Sequence, residues 1–139
     1  MLPFKTIAAI ITRLLPAVTD PAQNYLFNTV WVAVAQAENL MVAAICFRGE
    51  PNEQGEVEIG YETFAPFLNR GFITESIAAL SHWALAQPKT RAVLAVTAAD
   101  NAASHRALPK NDFVPESQAD NEVRLLLLYA TGFSSVTIA

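Results

Sequence analysis

Residues 56–64 read Glu56-Val57-Glu58-Ile59-Gly60-Tyr61-Glu62-Thr63-Phe64. Val57, Ile59, Tyr61 and Thr63 fall on one side of an extended chain, and Glu56, Glu58 and Glu62 on the other. This period of two marks a strand with one apolar and one polar face. The next repeat is different. Over residues 72–86, Ile73, Ile77, Leu80 and Ala84 recur at steps of four, three and four, the stripe of an amphipathic helix, and Pro88 ends it. Ala92-Val93-Leu94-Ala95-Val96 is an unbroken apolar run that suits an interior strand covered on both sides. Strand, helix and strand at this spacing predict a parallel crossover.

Working outward, Thr29 to Val34 is rich in β-formers, Glu38-Asn39 makes a turn, and Met41 to Arg48 is a second strand, so the pair predicts a hairpin. Residues 49–55 are a polar, breaker-rich loop, and residues 19–25 another. Residues 4–15 predict a helix with Pro16 near its stop. Downstream, a helix is expected from about Ala102 to Leu108, capped by Asp100 or Asn101, and then strands at Phe113 to Glu116 and Glu122 to Tyr129. The order is that of one mixed α/β domain over residues 1–139, a central mixed sheet flanked by helices.

Composition narrows the classes. With 53% hydrophobic and only 16% charged residues, part of the surface is expected to be covered by a partner subunit, such as a homodimer mate. A net charge of −4 without a basic cluster argues against a nucleic-acid binder. The single cysteine, Cys46, allows no intrachain disulfide, and no zinc spacing is present, so no metal is expected. Cys46 reads as a small buried hydrophobe on a strand rather than as a nucleophile. The amino-terminal stretch lacks a clean signal-peptide pattern, because Arg13 breaks its apolar run. Leu125 to Leu128 is far too short to span a bilayer. A cytoplasmic location and no membrane partner are the expectations.

Chemistry centres on Asn69-Arg70-Gly71-Phe72-Ile73-Thr74-Glu75-Ser76, which opens the first crossover helix. A helix start has backbone N–H groups without intrahelical partners and a positive dipole end. Gly71 would let an anion approach the backbone, and Arg70 would add charge. Taken alone, one glycine with neither a Walker loop nor a GxGxxG run reads first as a tight corner. His82 and His105 lack sequence partners and suit structural or exposed roles. Trp31 and Trp83 suit packing, and Glu75 suits the helix dipole.

Three ordered motifs change this balance: Gly55-Glu56-Val57-Glu58-Ile59-Gly60-Tyr61, the turn at 69–76, and Asn101…Ser104…Leu108…Lys110…Phe113. Together they resemble GNAT-type N-acetyltransferases, nearest to the branch of ribosomal-protein N-terminal acetyltransferases, over residues 41–116. The resemblance implies an acyl-CoA N-acyltransferase fold with acetyl-CoA as co-substrate. It also implies a primary amine acceptor, either a small molecule or a protein N-terminus. Asn69, Arg70, Gly71, Phe72, Ile73 and Thr74 would cradle the pyrophosphate. The strand at Val57 to Phe64 would splay from that at Ala92 to Thr97, and the pantetheine arm would bond backbone near Ile59 to Tyr61. Asn101 would contact the arm, and Ser104 would protonate the leaving thiolate. Glu58 is the best-placed carboxylate for a base, and Glu56 and Glu62 share its face. The residues alone leave Glu58 open as a solvated charge, Asn101 as a helix cap and Ser104 as a small surface residue.

The chain departs from the family pattern at Leu68, where Gln or Arg is usual, at Ile73, usually small, at Pro109 inside the second helix, and at Asp112 in place of glycine. Pro109 is expected to bend or end its helix, and if the family's glycine serves a positive φ, Asp112 can fill it at a cost. The family's first strand is not evident. A second function therefore stands beside the enzyme: a GNAT-fold protein without catalysis, serving as a structural or regulatory partner.

Overall fold

The computed structural model describes residues 19–128. The helix expected over 4–15 and the last residue of the final strand, Tyr129, lie outside them. A short 3-10 helix, Tyr25–Asn28, is capped by Asn24, whose Oδ1 accepts from Leu26 N at 3.0 Å. It leads into β1 (Val30–Ala35), which pairs antiparallel with β2 (Leu40–Phe47) as the expected hairpin. The stretch of alternating period is β3 (Glu56–Thr63). It is followed by α1 (Phe72–Leu85), β4 (Ala92–Ala98), α2 (Ala102–Lys110), β5 (Val114–Ala119) and β6 (Glu122–Leu128).

The six strands form one sheet in the order β1-β2-β3-β4-β6-β5. Only β3 and β4 run parallel, joined by α1 as the predicted crossover. Gly55 sets their common start. Its carbonyl accepts from both Arg91 N and Ala92 N, and its φ of 80° with Lys89 O only 3.0 Å from where a Cβ would sit leaves no room for a side chain.

The periodicities fall where the sequence put them. Val57 and Ile59 are buried beneath Ile77, Leu80 and Ala84 of α1 and Ala107 and Leu108 of α2, in one core cluster that Tyr61 and Ile73 flank. Each large apolar side chain so buried stabilises the fold by about 1.5–3 kcal/mol. On the opposite face of β3, Glu56 pairs with Arg124 at 2.7 Å and Glu58 pairs with Arg48. In β4, Ala92 to Ala95 are buried on both faces, but Val96 is 38% exposed. The interior run thus ends one residue early, where β4 loses β3 as a neighbour and keeps only β6.

Other boundaries shift for local reasons. Cys46 is half-buried rather than buried, because its cross-strand partner is Gly60, which has no side chain to cover it. Pro109 sits inside the last turn of α2, which runs two residues past the expected end. Asp112 takes a left-handed φ of 65°, as the glycine it replaces would, and Phe113 turns into the core, so β5 starts at Val114. Pro115 is tolerated there because β5 is an edge strand with a bulge beside it.

Candidate active site

The sheet opens at its centre. Pairing between β3 and β4 covers Glu56 to Ile59 against Ala92 to Ala95 and then stops. Gly60 to Thr63 keep β2 on one side but pair with no residue of β4. Alternation along β3 turns Tyr61 toward the helices, on the same side as Ile59. Its hydroxyl donates to Ser104 Oγ at 2.9 Å, from β3 to the first turn of α2. Burial raises the Tyr61 pKa above the usual phenol value, and the bond to Ser104 offsets this in part. The phenol therefore stays neutral and donating. Since Ser104 accepts from Tyr61, its own proton is free to be donated elsewhere.

Ser104 is buried and held by its backbone as well. Asn101 is the cap of α2, and its Oδ1 accepts from Ser104 N at 3.1 Å. The candidates Tyr61, Asn101 and Ser104 thus form one connected group.

The second group lies at the start of α1. Asn69 and Gly71 both take left-handed φ values, 59° and 81°, which Asn tolerates and Gly adopts without strain. Gly71 is the N-cap and makes no side-chain cap hydrogen bond. A Cβ placed on it would meet nothing within 4 Å, so the space before the first N–H groups of α1 is open. A cavity of about 260 Å³ occupies this region, lined among others by Asn69, Gly71, Thr74, Arg106 and Lys110. Open space, uncapped amides and cations suit a phosphate group.

Arg70 departs from its expected task. Its Nη2 bonds Glu38 Oε1 at 2.6 Å, and its guanidinium lies over the Phe72 ring at 4.8 Å. The hydrogen bond from Arg70 lowers the Glu38 pKa. Arg70 borders the cavity, but its charge is matched by a carboxylate. The cations that face the cavity without one come from α2. Arg106 Nη2 donates to Asn69 Oδ1 at 3.2 Å, and Lys110 follows one turn later. Arg106 was not among the expected site residues, and Lys110 figured only as a position of the third motif. The signal was present as Ala103, Arg106, Ala107 and Lys110, whose spacing puts two alanines and two cations on one helical face.

The structure does not bring Glu58 to the Tyr61–Ser104 pair. Its side chain is on the sheet face away from α1 and α2, paired with Arg48. Ile59 is a core residue whose contribution to the opening is backbone. Ile73 packs against the core, and Phe72 meets Phe67 edge to face and lies under the Arg70 guanidinium. A larger apolar cavity of about 610 Å³ runs between β1 and α1, past Trp31 and Trp83. Glu75 is the one carboxylate on its wall, and none of the candidate groups except Phe72 borders it. Among the described residues, no three His, Cys, Asp or Glu side chains converge as a metal site, and no helix is long and apolar enough to cross a membrane.

A family model of the acetyltransferase (GNAT) domain matches residues 6–114. The chain belongs to the GNAT acetyltransferase family. The order of elements and the six-stranded mixed sheet are those of this GNAT fold. The chain is 30% identical over 84 residues to YjdG of Bacillus subtilis (strain 168), described as an uncharacterized N-acetyltransferase, a match covering 60% of this chain and 50% of that protein. A GNAT-family acetyltransferase from Bacillus anthracis superposes with a TM-score of 0.63 at 19% identity, over 71% of this chain and 65% of that one. RimL, the ribosomal L7/L12 alpha-N-protein acetyltransferase solved in complex with coenzyme A, superposes with a TM-score of 0.63 at 21% identity, over 71% of this chain and 60% of that one. At these identities the structural likeness is one of fold. The chain spans half the length of its curated relative and less than two thirds of each solved chain.

Proposed function

We propose that this GNAT chain is an acetyl-CoA-dependent N-acetyltransferase acting on a primary amine, carried by a small molecule or by a protein N-terminus. The observation that carries the proposal is the opening between β3 and β4, with the Tyr61–Ser104 pair on one side and the uncapped turn of α1 beside it. When bound, acetyl-CoA supplies the activated acyl group. The amides of Phe72, Ile73 and Thr74, with Asn69, would hold its pyrophosphate, and Gly71 lets it approach. Backbone of Ile59 to Tyr61 and the side chain of Asn101 would line the arm.

In the transfer, a carbon–nitrogen bond forms and the carbon–sulfur bond breaks. Ser104 would give its hydroxyl proton to the departing sulfur and regain one from solvent once the products leave, while the neutral Tyr61 phenol orients it through their hydrogen bond. The attacking amine must lose a proton. Glu58, fixed by Arg48 on the face away from the helices, would take it from an acceptor arriving on that face, directly or through water. One observation favours the non-catalytic alternative: Arg70, the cation of the turn, is matched by Glu38.

An assay of free thiol released from acetyl-CoA, run over peptides with free α-amino groups, polyamines and amino sugars, decides between the two. Amine-dependent release is expected. Ser104→Ala should lower kcat on the order of tenfold or more with little change in KM for acetyl-CoA, in the range of a general-acid contribution. Glu58→Gln should lower the rate at neutral pH and leave cofactor binding intact. No thiol release with any amine would favour the non-catalytic partner.

A further inference from the structure

We infer that the outer edge of β1 is a contact between two copies of this chain. β1 of a second copy pairs with it antiparallel about a two-fold axis, and side chains of that copy fill the apolar cavity between β1 and α1. The inference does not depend on the reaction proposed above.

The two edges of the sheet differ. β5, at one end, reads Val-Pro-Glu-Ser-Gln-Ala. Pro115 has no N–H to offer, the register shifts between Pro115 and Ser117, and Glu116 is held by Arg124 at 2.6 Å. Proline, bulges and charges are the devices that keep an edge from pairing with another chain. β1, at the other end, reads Val-Trp-Val-Ala-Val-Ala, with none of these devices in its sequence. Among the described residues no strand lies beyond it. The irregularity in its pairing with β2 skips Val42, so it belongs to β2 and leaves β1 regular. Six such residues present about 20 Å of backbone whose outward N–H and C=O groups can take a further strand.

Side chains on both faces of β1 fit a strand there. Val32 and Val34 are 50% and 48% exposed on the face away from the helices. Trp31, Ala33 and Ala35 turn the other way and pack with the core beneath α1. The cavity of about 610 Å³ continues this layer, with Phe72, Ala79 and Trp83 on its α1 side. A strand about 4.8 Å outside β1 would run along it.

Charge and shape point to β1 of a second copy as that strand. Residues 30–36 carry no charge, so two copies meet without opposed like charges, and Glu75 on the cavity wall is exposed. An antiparallel pair centred on Ala33 sets Trp31 of each copy opposite Ala35 of the other, large against small. It also sets Val32 opposite Val34, covering both exposed valines twice over. The axis then runs through the sheet, both copies keep their helices on one side, and Trp31 of each enters the space beneath α1 of the other. A tryptophan seated in a pocket is a frequent interface anchor. A chain with 53% hydrophobic and 16% charged residues has apolar surface to cover in this way.

The test is sedimentation velocity on the full chain over a range of concentrations, with circular dichroism to check that each variant keeps its secondary structure. A dimer is expected. Val34→Lys should weaken self-association roughly tenfold or more, as a lysine does on an edge strand. Val114→Lys, at a position 63% exposed on the guarded edge, should leave it unchanged. In a Cys46→Ser background, Ala33→Cys should link two chains on mild oxidation, since residues opposed across the axis have Cα atoms about 4.5–5.5 Å apart. A wild type that stays monomeric at every concentration would overturn the assignment. So would a dimer that withstands Val34→Lys and does not cross-link through position 33.

Discussion

Two helices begin beside the central opening of the sheet, and they begin in opposite ways. α2 caps itself: Asn101 Oδ1 accepts from Ser104 N at 3.1 Å. α1 starts at Gly71, in the left-handed region, with no side-chain cap. Every helix start leaves backbone N–H groups to be satisfied. α2 satisfies one from within, which fixes Ser104 against Tyr61. α1 leaves its amides facing a cavity. The capped end holds a side chain still, and on the function proposed above the uncapped end would receive an anion. Charge follows a complementary rule: the cation beside α1, Arg70, is matched by Glu38, and the cations facing the cavity without a carboxylate stand on α2.

The comparison breaks most sharply at Gly71. In Gly71→Asn, asparagine tolerates the left-handed φ and its Cβ has open space, so the fold should lose only about 1 kcal/mol. The side chain would stand where an anion approaches. Affinity for acetyl-CoA should fall by roughly tenfold, or about 1.4 kcal/mol. Unchanged affinity would show that this helix end is only a corner. Next in size is the self-capped end. Asn101→Ala should cost about 1 kcal/mol in urea denaturation, and Asn101→Asp should recover most of it. A variant as stable as the wild type would mean that the cap does not hold α2.

The smallest effect is a titration. Burial raises the Tyr61 pKa, so the folded state favours the neutral phenol. The stability this represents is fully present below the ordinary phenol value of about 10 and is lost as pH rises through the raised value. Of the three tyrosines in the chain, one should ionise late in an ultraviolet titration, and Tyr61→Phe should remove that phase. A Tyr61→Phe variant that keeps the late phase would place the buried phenol elsewhere.

Periodicity made the frame legible. Val57, Ile59 and Tyr61 at a spacing of two, and Ile77, Leu80 and Ala84 at helical spacing, are local patterns, and they set β3, α1 and the parallel crossover between them. The positive φ at Asp112 was legible because few side chains can replace glycine there. What escaped was long-range partnership. The resemblance implied that β3 splays from β4, but nothing near Ile59 in sequence marks it as the last residue to pair with β4. Arg70 looked like the phosphate cation because its neighbours are Asn69 and Gly71. Its partner, Glu38, is 32 residues away in the β1–β2 turn. Arg106 and Lys110 were hidden for the same reason, since the rotation of α2 against the α1 turn decides which of its residues face the cavity.

The most direct test of the central claim is a calorimetric titration of the protein with acetyl-CoA, with desulfo-coenzyme A as a control. The uncapped turn of α1 and the opening beside it predict saturable binding in the micromolar range. No binding up to millimolar ligand would contradict the account and leave a GNAT fold whose cleft holds no acyl carrier.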